Sequence, residues 1–142
     1  MSQLNNDLYA IIRCGIQFRG ERTAPLGLKS CHISYLSRIC CYPGISQDQL
    51  AQMMFINKSN VARQAAALEK GGFITRTASA SDKRVLQLHP TEKAQELMPQ
   101  LEQIVMQWDE RIMAGLTEDE VKTVAAILEK MKANAAAWAN EK

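Results

Sequence analysis

The sequence predicts a mainly α-helical chain in which a pair of short helices runs straight into a two-stranded β-hairpin, with long helices before and after. Three observations predict it. Apolar residues recur at three- and four-residue steps along most of the 142 residues. The period changes to two only at residues 73–77 and 85–88. Ser46, Asn57, Thr91 and Thr117 stand where helices should open, and Pro43-Gly44 and Gly71-Gly72 where they should stop.

The elements follow in order. Leu4, Leu8, Ile11, Ile12 and Ile16 give an amphipathic helix over residues 4–18, which Pro25 and Gly27 bring to an end. A second helix is expected over residues 29–41, with Ile33, Leu36, Ile39 and Cys40 inward. Ser46 and Gln49 form a capping box for a short helix carrying Leu50, Ala51, Met53 and Met54. Asn57 caps the next helix, which ends at Gly71-Gly72, where glycine supplies the left-handed cap. Two such helices joined by three or four residues outline a helix-turn-helix. The alternating runs that follow flank a small polar tip at residues 78–82 and make a hairpin, so the unit as a whole is a winged helix.

Thr91 caps a long helix over residues 92–114, in which Pro99 predicts a kink or an irregular first part. Thr117 and Glu120 make a capping box for the last helix. Its Val121, Val124, Leu128, Met131, Ala135 and Trp138 keep a seven-residue repeat. That stripe is too apolar for a lone terminal helix facing water, which predicts a symmetric dimer; a packed intramolecular helix pair is the alternative.

Hydrophobic residues make up 46% of the chain and charged residues 23%, an ordinary globular composition that excludes wholesale disorder. Residues 1–7 are polar and lack a basic stretch leading into an apolar core, so no secretory signal is expected. No run approaches the roughly 18 apolar residues of a membrane span. The expected compartment is the cytoplasm. Cys14, Cys31, Cys40 and Cys41 are then expected to be free, buried thiols. The net charge of +2 is unevenly spread: residues 57–84 carry six basic and two acidic side chains, residues 91–142 six basic and ten acidic. A basic middle implies a face that meets polyanions.

The helix after Asn57 carries the sharpest chemistry. Val61, Ala65 and Leu68 share its inner face, while Ser59, Asn60, Arg63, Ala66, Ala67 and Lys70 form the outer stripe. Asn can bridge N6 and N7 of adenine, and Arg can grip O6 and N7 of guanine. Lys58 and Ser59 at the first turn suit phosphates. Arg76, Lys83 and Arg84 of the wing extend the basic surface, and a wing arginine fits a narrow minor groove. The alternative for this helix is a solvated polar face.

Residues 57–76, Asn-Lys-Ser-Asn-Val-Ala-Arg-Gln-Ala-Ala-Ala-Leu-Glu-Lys-Gly-Gly-Phe-Ile-Thr-Arg, closely resemble the recognition helix and first wing strand of the MarR family of regulators. Asp82-Lys83-Arg84 is similar to that family's wing signature, Leu50-Ala51 to its preceding helix, and Thr91-Glu92-Lys93-Ala94 to the start of its long fifth helix. The resemblance implies one MarR-like subunit over residues 1–142, with a winged-helix DNA-binding region at 29–90 and helical dimerisation regions at 1–24 and 91–142. It implies a homodimeric transcription regulator of an inverted-repeat operator in double-stranded DNA, in many members a repressor relieved by a small aromatic effector, a metal or an oxidant. It also implies that Arg84 reaches the minor groove while Asp82 orients the wing. The expected DNA contacts are Lys58, Ser59, Asn60, Arg63, Gln64, Lys70, Arg76, Asp82, Lys83 and Arg84. This sequence departs from the family pattern at Ala94, Pro90, Ala67 and the proline-free tip Ser79-Ala80-Ser81, which puts groove affinity and target sequence in doubt.

No Gly-rich phosphate loop, CxxC, HExxH or nucleophile elbow is present, so no enzyme, cofactor or metal site is expected. His89, beside Pro90, is expected at the surface. Three readings stand for His32 with Tyr35 one turn on: plain core packing, the lining of a small-molecule pocket, or a metal or redox sensor using Cys14, Cys31, Cys40 or Cys41. A winged-helix dimer serving as a protein-interaction module, or a cysteine-based redox sensor on the same scaffold, are the alternatives to the regulator.

Overall fold

A computed structural model describes residues 2–142. They fall into two compact units divided after Trp108. The first begins with α1 (Gln3–Thr23), opened by Ser2, whose hydroxyl accepts from the Asn5 amide at 3.2 Å. The helix runs five residues past its predicted end at residue 18 and ends where Pro25 enters a 3-10 turn, Ala24–Leu26. α2 (His32–Cys41) starts three residues later than the spacing predicted, after the turn that Gly27 completes at φ +76°.

The helix-turn-helix is α3 (Gln47–Met54) and α4 (Lys58–Lys70). Ser46 and Gln49 form the expected reciprocal capping box, with both hydrogen bonds at 3.0 Å. Asn57 accepts from the Asn60 amide at 2.7 Å and so opens α4. At the far end Gly71 stays right-handed; Gly72 takes the left-handed turn at φ +79°. The wing is β2 (Ile74–Ala78) antiparallel to β3 (Leu86–Pro90), with Arg76 opposite Leu88. A third strand that the sequence did not announce, β1 (Ile45–Ser46), pairs with the other edge of β3 through Ile45 and Leu88. Two residues are too few to show a period.

The core of this unit is built from Leu36, Ile39, Leu50, Val61, Leu68, Ile74, Leu88 and Leu101, each no more than 1% exposed. Burying one such side chain is worth about 1.5–3 kcal/mol, and Val61 and Leu68, with Ala65 between them, anchor α4 in this way. α5 (Glu92–Ile112) continues unbroken through Pro99. Its first turn is tied to the tail of α4: the Thr91 hydroxyl donates to the Gly72 carbonyl at 2.7 Å, and the Lys93 ammonium to the Gly71 carbonyl at 2.8 Å while lying over the Phe73 ring.

In the second unit Gly115 turns the chain at φ +86°, and Thr117 accepts from the Glu120 amide at 3.1 Å to open α6 (Glu118–Asn140). No side chain of α6 is buried; Val124, Ile127, Leu128 and Trp138 are 45–62% exposed.

The four cysteines are free, as expected, yet not buried. Cys14, Cys31 and Cys41 are exposed and Cys40 is half-buried; on α2, Ile33, Leu36 and Ile39 fill the inner face and leave Cys40 and Cys41 outside it.

Candidate nucleic-acid interface

α4 presents two chemically distinct faces because its inner positions repeat at four and three residues. Val61, Ala65 and Leu68 face the core, which turns Ser59, Arg63, Ala66, Ala67 and Lys70 out to solvent, with Asn60 half-buried at the edge. The stripe expected to meet DNA is therefore exposed apart from Asn60. At its start the Ser59 hydroxyl donates to the Asn57 side chain at 2.8 Å, and Lys58 pairs with Asp48 of α3 at 3.3 Å. Both partners of that pair are largely solvated, so the lysine gives it up at little cost.

The wing holds its arginine firmly. Asp82 accepts from Arg84 through both carboxylate oxygens, at 3.1 and 3.2 Å, and from the Arg84 amide at 3.0 Å. Those hydrogen bonds, the guanidinium's foremost, hold the Asp82 carboxyl below its ordinary pKa. The Arg84 side chain nevertheless remains 91% exposed. Arg84, Val85 and Leu86 share a cleft with Ser46, Gln47 and Asp48, so the tip end of the wing and the first turn of α3 adjoin. Lys83 is exposed at the tip.

Two expected contacts are engaged inside the chain. The Arg76 guanidinium donates to Glu69 at 3.2 and 3.3 Å and to Gln47 at 3.2 Å, while its own amide donates to Glu69 at 3.0 Å. It thereby joins β2, α4 and α3. Gln64 turns inward and meets the His32 imidazole at 2.8 Å. Gln47 and Glu69 did not stand out in the sequence. An acid near the end of a helix, seven residues before a strand arginine, is the signal that could have found Glu69.

His32 and Tyr35 are 4% and 1% exposed, and their rings meet edge to face at 6.5 Å. Burial lowers the pKa of His32, as does the charge of Lys29, against the Gln64 hydrogen bond. Burial raises that of Tyr35, Cys31 adds to the rise and Arg63 opposes it. The Tyr35 hydroxyl is buried with no hydrogen-bond partner among the described residues. Burial also raises the thiols of Cys31 and Cys40, although Cys31 counts among the exposed residues. A raised thiol pKa disfavours the reactive thiolate. His89 is half-buried at the end of β3. Among the described residues no cluster of three metal-ligating side chains occurs, and no helix is long and apolar enough to cross a membrane.

A helix-turn-helix backed by a three-stranded sheet whose hairpin lies beside the second helix defines a winged-helix protein. The model of the MarR family matches residues 29–86. An uncharacterized HTH-type transcriptional regulator of Bacillus subtilis (strain 168), YybA, is 34% identical over 100 residues, covering 70% of this chain and 67% of its own. Two solved structures from Listeria monocytogenes are each 29% identical, covering 98% of this chain and 93% of theirs. One is an uncharacterized SlyA-like transcription regulator with a TM-score of 0.92. The other is a MarR family transcriptional regulator complexed with 26mer DNA, with a TM-score of 0.90. This chain belongs to the MarR family, and with it to the transcription regulators rather than the enzymes.

Proposed function

We propose that the chain is a homodimeric repressor that reads an inverted-repeat operator in double-stranded DNA and is released by a small aromatic effector. The observation that carries this reading is the exposed row Ser59, Arg63 and Lys70 on α4, with Asn60 half-buried at its edge, beside a wing whose Arg84 is held outward by Asp82. Asn60 and Arg63 supply base-reading chemistry; Lys58, Ser59, Lys70, Lys83 and Arg84 supply phosphate and minor-groove contacts. The related Listeria regulator complexed with DNA supports the same use of the fold.

On this reading residues 29–90 meet DNA, and residues 1–24 and 91–142 pair with a second copy. Leu4, Tyr9, Ile11 and Ile12 on α1, and Val124, Ile127, Leu128 and Trp138 on α6, stand bare in a single chain. Apolar helix faces of that extent are stable in water only when covered. The effector role rests on Tyr35, whose buried, unpartnered hydroxyl is what an oxygen-bearing aromatic molecule would satisfy. A regulator of this kind works in the cytoplasm, beside the DNA.

Selection of bound duplexes from random DNA by the purified protein tests the proposal. The expected result is a palindromic consensus with half-sites about 34 Å apart, bound less tightly as salt rises. Failure to enrich any sequence overturns it.

A further inference from the structure

Gln64 lies on α4 one residue beyond Arg63, where a glutamine would ordinarily be counted as a base reader. Its carboxamide oxygen instead meets Nε2 of His32 at 2.8 Å, and the Lys29 amide donates to Nδ1 of the same ring at 3.0 Å. A nitrogen that accepts an N–H carries no proton, so the ring's proton sits on Nε2 and points at Gln64. The imidazole is thus a neutral bridge from the chain before α2 to the helix that faces DNA. It is 4% exposed and stands at the first residue of α2, whose Ile33, Leu36 and Ile39 are fixed in the core.

We propose that Gln64 is a positioning residue: its hydrogen bond to His32 sets how α4 is presented to the groove, and its side chain does not read bases. The proposal deepens the regulator reading and rests on it. If Gln64 swung out to DNA, it would leave the His32 N–H unpaired in the interior, where the full desolvation penalty applies. α4 cannot roll about its axis without breaking the same bond.

Protonation would put a second N–H on Nδ1 against the Lys29 amide. The groups bearing on the ring disfavour that cation as well. Lys29 in the preceding turn is cationic, as is the first turn of α2 by its dipole, and the charge of Arg63 on α4 reaches the neighbouring Tyr35; Cys31 precedes His32 and Tyr35 follows it one turn on. A histidine whose pKa is lowered on folding stabilises the fold above its unfolded value of about 6.5. That contribution is lost as pH falls through the lowered value.

Long-range proton–nitrogen NMR on the free protein tests the bridge, with His89→Gln assigning the second histidine. The expected spectrum shows the Nε2–H tautomer and a midpoint below about 6.5; an Nδ1–H tautomer overturns the proposal. Operator binding then tests its use. Gln64→Leu should weaken binding about five- to tenfold, with the base preference at every position and the salt slope unchanged. His32→Gln, which returns an N–H donor near the place of Nε2, should bind within about twofold of the unsubstituted protein. If Gln64→Leu relaxes the preference at one operator position, Gln64 is a base reader and the proposal falls. Absence of operator binding by the unsubstituted protein sinks the regulator reading instead, and the tautomer measurement distinguishes the two failures.

Discussion

Asp82 and Arg84 lie two residues apart in the wing, and their geometry matters more than their charge. A free arginine loses about 2 kcal/mol of rotamer freedom when fixed; the fork of Asp82 bears part of that before DNA arrives. Asp82→Asn is therefore expected to weaken operator binding about three- to fivefold with an unaltered salt slope, because the arginine's charge remains. Arg84→Ala should lower the slope by about one. Salt titrations by fluorescence anisotropy would check both. Since the Asp82 carboxyl is held below its ordinary value, the fork persists at neutral pH and is lost only as pH falls through that lowered value. This pair was legible because its members are near neighbours in sequence. Arg76 was not, since Glu69 and Gln47 lie 7 and 29 residues away and only folding brings them to its guanidinium.

Among the elements, α4 combines strong helix formers with a side-chain cap at its start. Asn57 both satisfies the Asn60 amide and receives the Ser59 hydroxyl, so a single side chain closes the first turn and orients the residue proposed to meet phosphate. Asn57→Ala should cost about 1 kcal/mol and lower Tm by roughly 4 °C in calorimetry. The caps at Ser46, Asn57 and Thr117 were readable because capping is local chemistry. α1 outran its periodic stretch because Arg19, Gly20, Glu21 and Arg22 carry no apolar signal. β1 escaped notice because a two-residue strand exists only by pairing with β3. The exposure of the thiols was not legible, because a cysteine's burial depends on which larger side chains fill the core around it.

For the whole molecule, the bare apolar faces of α1 and α6 decide whether the chain works alone. Val124 and Leu128 are each 45% exposed on a helix that buries nothing in its own chain. Leu128→Asp, alone or with Val124→Asp, is expected to yield a monomer by sedimentation equilibrium, with operator affinity reduced at least a hundredfold, because two half-sites bind far more tightly when linked. A monomeric unsubstituted protein that still protects a palindrome from cleavage would contradict the dimer.

The carbonyls that close α4 are gripped by Thr91 and Lys93 at the head of α5. A long rod fastened in this way to the proposed recognition helix cannot pivot at its start without dragging that helix along. Two such rods in a paired molecule would make the distance between operator arms a quantity the protein senses mechanically, so that spacing as well as lettering distinguishes one promoter from another.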